Sequence, residues 1–205
     1  MALVKYNNNS ISAVTAAASI PSGSMVLLNT NTITSGVSSS SFTSNINSTY
    51  STYIFKFINI HPATDGGIFE FNLSTDSGSN YNVTKTTTYF RATHNEAGTV
   101  SQFQYETSYD LAQSTSYQRI GNEVGNGNDE CVSGYLHLFE PSSTTFVKHF
   151  IATSNVYFAS DRSINEYVAG YGNTTSAIDA IDFKFASGNI DSGIIKMYGL
   201  SKSWA

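Results

Sequence analysis

Seven glutamates are available to supply a pair of acid–base carboxylates: Glu70, Glu96, Glu106, Glu123, Glu130, Glu140 and Glu166. Glycoside cleavage needs two carboxyl groups roughly 5–9.5 Å apart across a cleft. No two of these fall in an alternating E-x-D-x-x-E order that would set them on one strand face, so they are expected to be solvated surface groups. The four histidines, His61, His94, His137 and His149, show no i,i+2 or i,i+4 pair, the spacings that let two rings share a metal. His137 and His149 fall on the two strands of a predicted hairpin and are expected to approach each other there. Cys131 is the only cysteine. It excludes an intramolecular disulfide and is expected to be a small buried apolar residue. The run Gly125-Asn126-Gly127-Asn128-Asp129-Glu130 offers oxygen ligands for calcium but lacks the D-x-D-x-D-G order of a dedicated loop. Phosphate-cradling Gly loops and G-x-S-x-G elbows are absent from the sequence. The expectation is therefore no catalytic residue, no metal site and no cofactor.

Tyrosine is the residue type left with binding potential. Tyr105, Tyr109, Tyr117 and Tyr171 fall in or near predicted loops. An exposed Tyr can stack on a sugar ring or bury in a subunit contact. Tyr105, Tyr109 and Tyr171 are the candidate glycan contacts.

The elements that would carry these side chains read as strands. In Ala180–Leu200, Ile181, Phe183 and Phe185 alternate with Asp182 and Lys184, and turn residues follow. Ile195 and Met197 then share one face, with Ile194, Lys196, Tyr198 and Leu200 on the other. A period of two sends alternate side chains to opposite faces, so the stretch predicts an antiparallel pair closing a two-layer fold. The same alternation predicts a strand over Tyr53–Ile60, ended by Pro62, and another over Ile68–Leu73, the two pairing as a hairpin. Cys131–Phe139 returns through Phe146–Ala152. Further strands are expected at Met25–Ile33, around Phe42, and over Tyr81–Ala92, Val100–Tyr105, Tyr117–Ile120 and Glu166–Tyr171. Gly121–Asp129 reads as a long loop. About eight to ten strands between polar turns predict an all-β jelly-roll or β-sandwich of residues 25–205. Met1–Ser24, with one short predicted helix over Ile11–Ile20, reads as an arm whose Leu3, Val4 and Tyr6 are candidate assembly contacts.

Composition agrees with that class. Charged residues are 12% of the 205, and aromatics 13%. Charged side chains usually make up ~25% of a soluble domain, so the surface is expected to be neutral and polar. The net charge is −5, and Lys and Arg are nowhere clustered, which argues against nucleic acid as a partner. No run approaches the ~20 apolar residues of a membrane span, and no leader of signal length opens the chain.

Two stretches, GYLHLFEPSSTTFVKHFIA (Gly134–Ala152) and Gly170–Leu200, together with the opening MALVKYNNNSISAVTAAASIPSGSMVLL, resemble small structural proteins of tailed bacteriophages, especially those of marine hosts. The closing F-x-F-x-x-G-N-I…G-x-I-x-x-Y-G is similar to the last strands of lectin-like jelly-rolls in tail fibres and head decorations. The resemblance implies a non-enzymatic virion protein assembled in the host cytoplasm, displayed on capsid or tail. Its expected partners are other virion proteins and copies of itself, as a trimer, with host-surface glycans as an alternative ligand. It carries over no functional residue.

Overall fold

A computed structural model describes residues 25–201. The predicted helix over Ile11–Ile20 and the contacts assigned to Leu3, Val4 and Tyr6 lie outside the described residues. Twelve strands make up all the regular structure described: β1 (Met25–Ile33), β2 (Ser40–Phe42), β3 (Tyr50–Pro62), β4 (Gly67–Ser74), β5 (Lys85–Asn95), β6 (Ser101–Tyr105), β7 (Gln118–Val124), β8 (Val132–Phe139), β9 (Lys148–Phe158), β10 (Arg162–Gly172), β11 (Ala180–Phe185) and β12 (Ile190–Ser201). They form two antiparallel layers. The larger runs β1-β12-β3-β8-β9-β10-β5-β6, and the smaller runs β7-β4-β11-β2. One pairing, Val124 with Phe158, joins the layers along one edge. The result is a sandwich nearly closed into a barrel. Consecutive strands repeatedly fall in opposite layers, which is the jelly-roll manner of connection.

Alternation assigns the faces. Phe69, Phe71 and Leu73 of β4 and Ile181 and Phe183 of β11 are fully buried, and so are Phe55, Ile195 and Met197 from the facing layer. Phe183 sits at the centre, its ring 5.1 Å from Phe57, 5.5 Å from Phe55, 6.1 Å from Phe69, 6.3 Å from Phe42 and 6.4 Å from Phe71. Edge, tilted and stacked contacts of this kind add to the area each ring removes from water.

Three expectations about pairing are corrected. β11 and β12 do not pair with each other: β11 lies between β4 and β2, and β12 between β1 and β3. β3 and β4 are likewise no hairpin, since β3 pairs β12 and β8 while β4 pairs β11 and β7. In both cases the short connection carries the chain across the core instead of back along one layer. Gly66 (φ 68°) and Gly188 (φ 75°) take the left-handed conformation that these crossings use. The loop expected over Gly121–Asp129 is also shorter, because β7 runs on to Val124. The hairpins β8–β9, β9–β10 and β5–β6 are real pairs.

The middle of the large layer is tight. A Cβ on Gly134 would lie 2.3 Å from the Thr153 backbone oxygen and 2.6 Å from the Ser154 Cα. Gly134→Ala is expected to cost about 1–3 kcal/mol, because the clash is with backbone and only strand separation relieves it. Urea unfolding checks this; a loss below about 0.5 kcal/mol, the range of a bland surface change, would show that the pair opens freely.

Candidate functional site

The strand alternation that fills the core also decides what the large layer shows to the outside. Cross-strand register places Leu27, Tyr198, Ile54, His137, Ile151, Ala169 and Thr88 in one row across seven strands. The next row is Thr30, Lys196, Lys56, Tyr135, Thr153, Tyr167, Phe90 and Tyr105. Among the described residues, eight large hydrophobics are exposed, and seven of them, Met25, Leu27, Ile58, Phe103, Tyr105, Tyr135 and Ile151, stand on this one face. The eighth, Phe146, is 71% exposed on the β8–β9 connection beside it. Scattered exposed apolar groups need no explanation, but a contiguous set does.

This face is also electrostatically unlike the rest of the chain. Lys56 and Lys196 stand directly opposite each other, an arrangement that like charges disfavour. The Lys56 ammonium lies 5.6 Å from the Tyr198 ring centroid; burial, with the Lys56 charge adding to it, lowers the pKa of His137. Only Asp191, at the start of β12, brings a carboxylate to the outward side of these eight strands, since Glu166 points inward.

His137 and His149 share the face but do not meet. His137 lies opposite Ile151, two positions further along β9, with its ring between Tyr135 and Phe139 at 5.1 and 6.2 Å. His149 packs at 6.1 Å against Tyr171. His149, and not His137, lines a depression of about 500 Å³ walled by Thr86, Thr88, Phe139, Ile151 and Tyr171.

A second, polar cluster lies where residues 106–117 cover the inward side of β5 and β10. The alternation on β5 carries Lys85, Thr87, Tyr89 and Arg91 inward, and on β10 it carries Glu166 between Ile164 and Val168. Arg91 stands directly opposite Glu166 across the strands and 2.6 Å from Glu106. The Tyr109 ring has the Arg119 guanidinium 4.6 Å from its centroid and that of Arg91 at 5.7 Å. Asn122 accepts from Arg119 at 3.0 Å and donates to the Tyr109 hydroxyl at 3.3 Å. Glu166, 1% exposed, accepts the Asn122 backbone N–H at 3.1 Å. Burial raises its pKa to about 7, against the opposing pull of Tyr89, that N–H and the two arginines. The Tyr89 hydroxyl faces Glu166 without good hydrogen-bond geometry, so it and Glu166 Oε2 are both buried and poorly satisfied. Glu166 is thus no surface carboxylate. Its phase with Ile164 and Val168 was the signal available for that in the sequence.

The three candidate glycan tyrosines are split. Tyr105 donates to Asp110 at 2.6 Å. Tyr109 and Asp110 line a depression of about 390 Å³ with Glu70, Tyr117 and Arg119. Tyr171 lies apart, in the depression beside His149. Glu70 is the carboxylate that the sequence reading undervalued here: burial raises its pKa, although Lys184 stands 3.7 Å away.

Glu130 turns its carboxylate onto the Gly127 N–H of its own loop. Among the described residues no group of three or more His, Cys, Asp or Glu is gathered at metal-binding spacing. Cys131 is half-buried just before β8 rather than in the core, and burial raises its thiol pKa. Comparison with family models, with curated proteins and with solved structures finds no match.

Proposed function

We propose that this chain is a non-enzymatic structural module that packs against copies of itself on a bacteriophage particle, on the capsid or the tail. The observation that carries the reading is the gathering of seven exposed large hydrophobics on the outward face of the large layer. Eight strands about 4.8 Å apart and about 20 Å long present roughly 750 Å², close to the ~800 Å² per partner of a standard interface. A second copy suits this face electrostatically. Lys56 and Lys196 lack carboxylate neighbours on it, whereas the chain as a whole carries fifteen Asp and Glu against ten Lys and Arg. A head-to-tail contact brings those lysines onto the acidic remainder of the next copy, and such a contact makes a ring where its rotation closes and a filament where it does not; a trimer is the closed case. The particle itself is supported by the resemblance of the Gly134–Ala152 and Gly170–Leu200 stretches.

Light scattering on the purified chain tests the self-association. The expected mass is a small multiple of 22.2 kDa, falling to one copy in Ile151→Glu and Tyr135→Ser with the unfolding midpoint kept. A wild-type monomer at tens of micromolar, a concentration at which standard-size interfaces usually hold, would refute it. Mass spectrometry of purified particles tests the placement, and absence of the chain from them would remove it.

The alternative, a glycan-binding module, is supported by the depression that gathers Glu70, Asp110, Arg119 and Tyr117, because convergent polar groups beside an aromatic ring suit a polyhydroxylated ligand. Arg91 and Arg119 flank the Tyr109 ring, and the Lys184 ammonium lies 4.2 Å from the Tyr117 ring centroid, so Tyr117, with one cation beside it rather than two, is the ring tested. A glycan array with Tyr117→Ala separates the two readings: bound glycan lost in the variant supports the lectin, and an empty array disfavours it.

A further inference from the structure

Among the described residues, Lys85 is one of two lysines with no exposed surface, and its surroundings differ in kind from those of the other. Lys148 donates only to backbone carbonyls, of Phe146 at 2.7 Å and Thr174 at 3.2 Å. Lys85 donates to the Val83 carbonyl at 2.9 Å and, at 2.5 Å, to the side-chain carbonyl Oδ1 of Asn72. Asn72 is itself fully buried. Its Oδ1 also accepts the Leu73 N–H at 2.8 Å. Its Nδ2 is held by the carbonyls of Tyr81 at 2.6 Å and Thr115 at 2.9 Å.

We infer that Lys85 and Asn72 form an intramolecular isopeptide bond. The geometry supplies what an acyl transfer needs. Both side chains are fully buried and the amine is held against the carboxamide, as a near-attack arrangement requires. Attack of Nζ on Cγ pushes the carbonyl electrons onto Oδ1, where the Leu73 N–H stabilises the developing charge. The tetrahedral centre then collapses. The Nζ–Cγ bond is made and the Cγ–Nδ2 bond is broken. The proton shed by Nζ goes to Nδ2, which leaves as ammonia, so atoms and charge balance without an oxidant or co-reactant. An amine must be neutral to attack. Burial disfavours the ammonium and lowers the pKa of Lys85 to about 7. Glu70, two residues back on the same face of β4, is the carboxylate whose charge Lys85 feels. Burial raises the pKa of its carboxyl, which stands 3.7 Å from the Lys184 ammonium. The bond would tie β4 to the start of β5 and close residues 72–85 into a ring. The inference stands independently of the chain's place on any particle.

Mass spectrometry of the denatured full chain decides it, and needs no folded variant. The wild type is expected to weigh about 17 Da less than its sequence mass, the ammonia lost, whereas Lys85→Arg and Asn72→Ala keep theirs. Trypsin gives a second readout. No Lys or Arg separates Phe57 from Lys85, and Arg91 is the next cleavage point. The linked chain therefore yields a peptide over residues 57–91, uncut at Lys85 and short by the same mass. A wild type at full mass after days at pH 8, cut normally after Lys85, overturns the inference.

Discussion

Phe183→Ala is expected to be the most damaging single truncation in the core, costing about 3–5 kcal/mol and lowering the unfolding midpoint by roughly 10 °C. The reason is position rather than size alone. Phe183 is fully buried and touches rings from β2, β3 and β4 at once. Removing it leaves a cavity between the layers that no single neighbour can fill. Phe103, 72% exposed on β6, is the internal control. Phe103→Ala changes stability by less than about 0.5 kcal/mol, as an exposed site should, and its effect is expected in self-association. Differential scanning calorimetry of both variants checks the contrast. If Phe183→Ala fell by no more than Phe103→Ala, the two layers would not share the core described.

That contrast also marks what alternation can and cannot convey. The inward placing of Ile181, Phe183, Phe185, Ile195 and Met197 is legible, because a period of two leaves each strand one apolar face. The partner of each strand is not legible. The turns after Ile60 and Phe185 have the composition of hairpin turns, yet the chain there crosses the core, and local spacing holds no record of which layer it enters. Tertiary covering is invisible for the same reason. Lys85 lies in a Thr-rich stretch whose spacing carries no sign of its burial, and residues 111–117 close over it, with Ser114 pairing Lys85 by two backbone bonds of 2.8 and 3.0 Å. The outward apolar face was half legible. Tyr135, His137 and Phe139 were readable as opposite Leu136 and Leu138, but their joining with Tyr198 and Ile151 depends on strand order. Tyr105, Tyr109 and Tyr171 all fall near turns in the sequence, and nearness to a turn brings only the first two together.

Glu166→Gln is expected to stabilise the protein at pH 8 by about 2–3 kcal/mol and to leave it unchanged near pH 4. The carboxyl is raised in the folded chain from its ordinary 4.5 to about 7. Below about 4.5 it is protonated in both states and contributes no pH dependence. Between 4.5 and 7 the unfolded chain releases the proton first. The folded state then binds more protons than the unfolded one, so stability falls as pH rises. Above 7 the full cost of a buried charge is present. The groups facing Glu166 do not cancel that cost. From β5, Arg91 is shared with Glu106; from β7, Arg119 is spent on Asn122 and the Tyr109 ring; and Tyr89 offers its hydroxyl in poor geometry. A glutamine keeps the shape and the Asn122 N–H bond while removing the charge. Unfolding midpoints measured from pH 4 to pH 8 therefore separate the two chains only over the upper part of that range. An identical slope in the variant would mean that Glu166 is ionised throughout and that the arginines, not burial, set its titration.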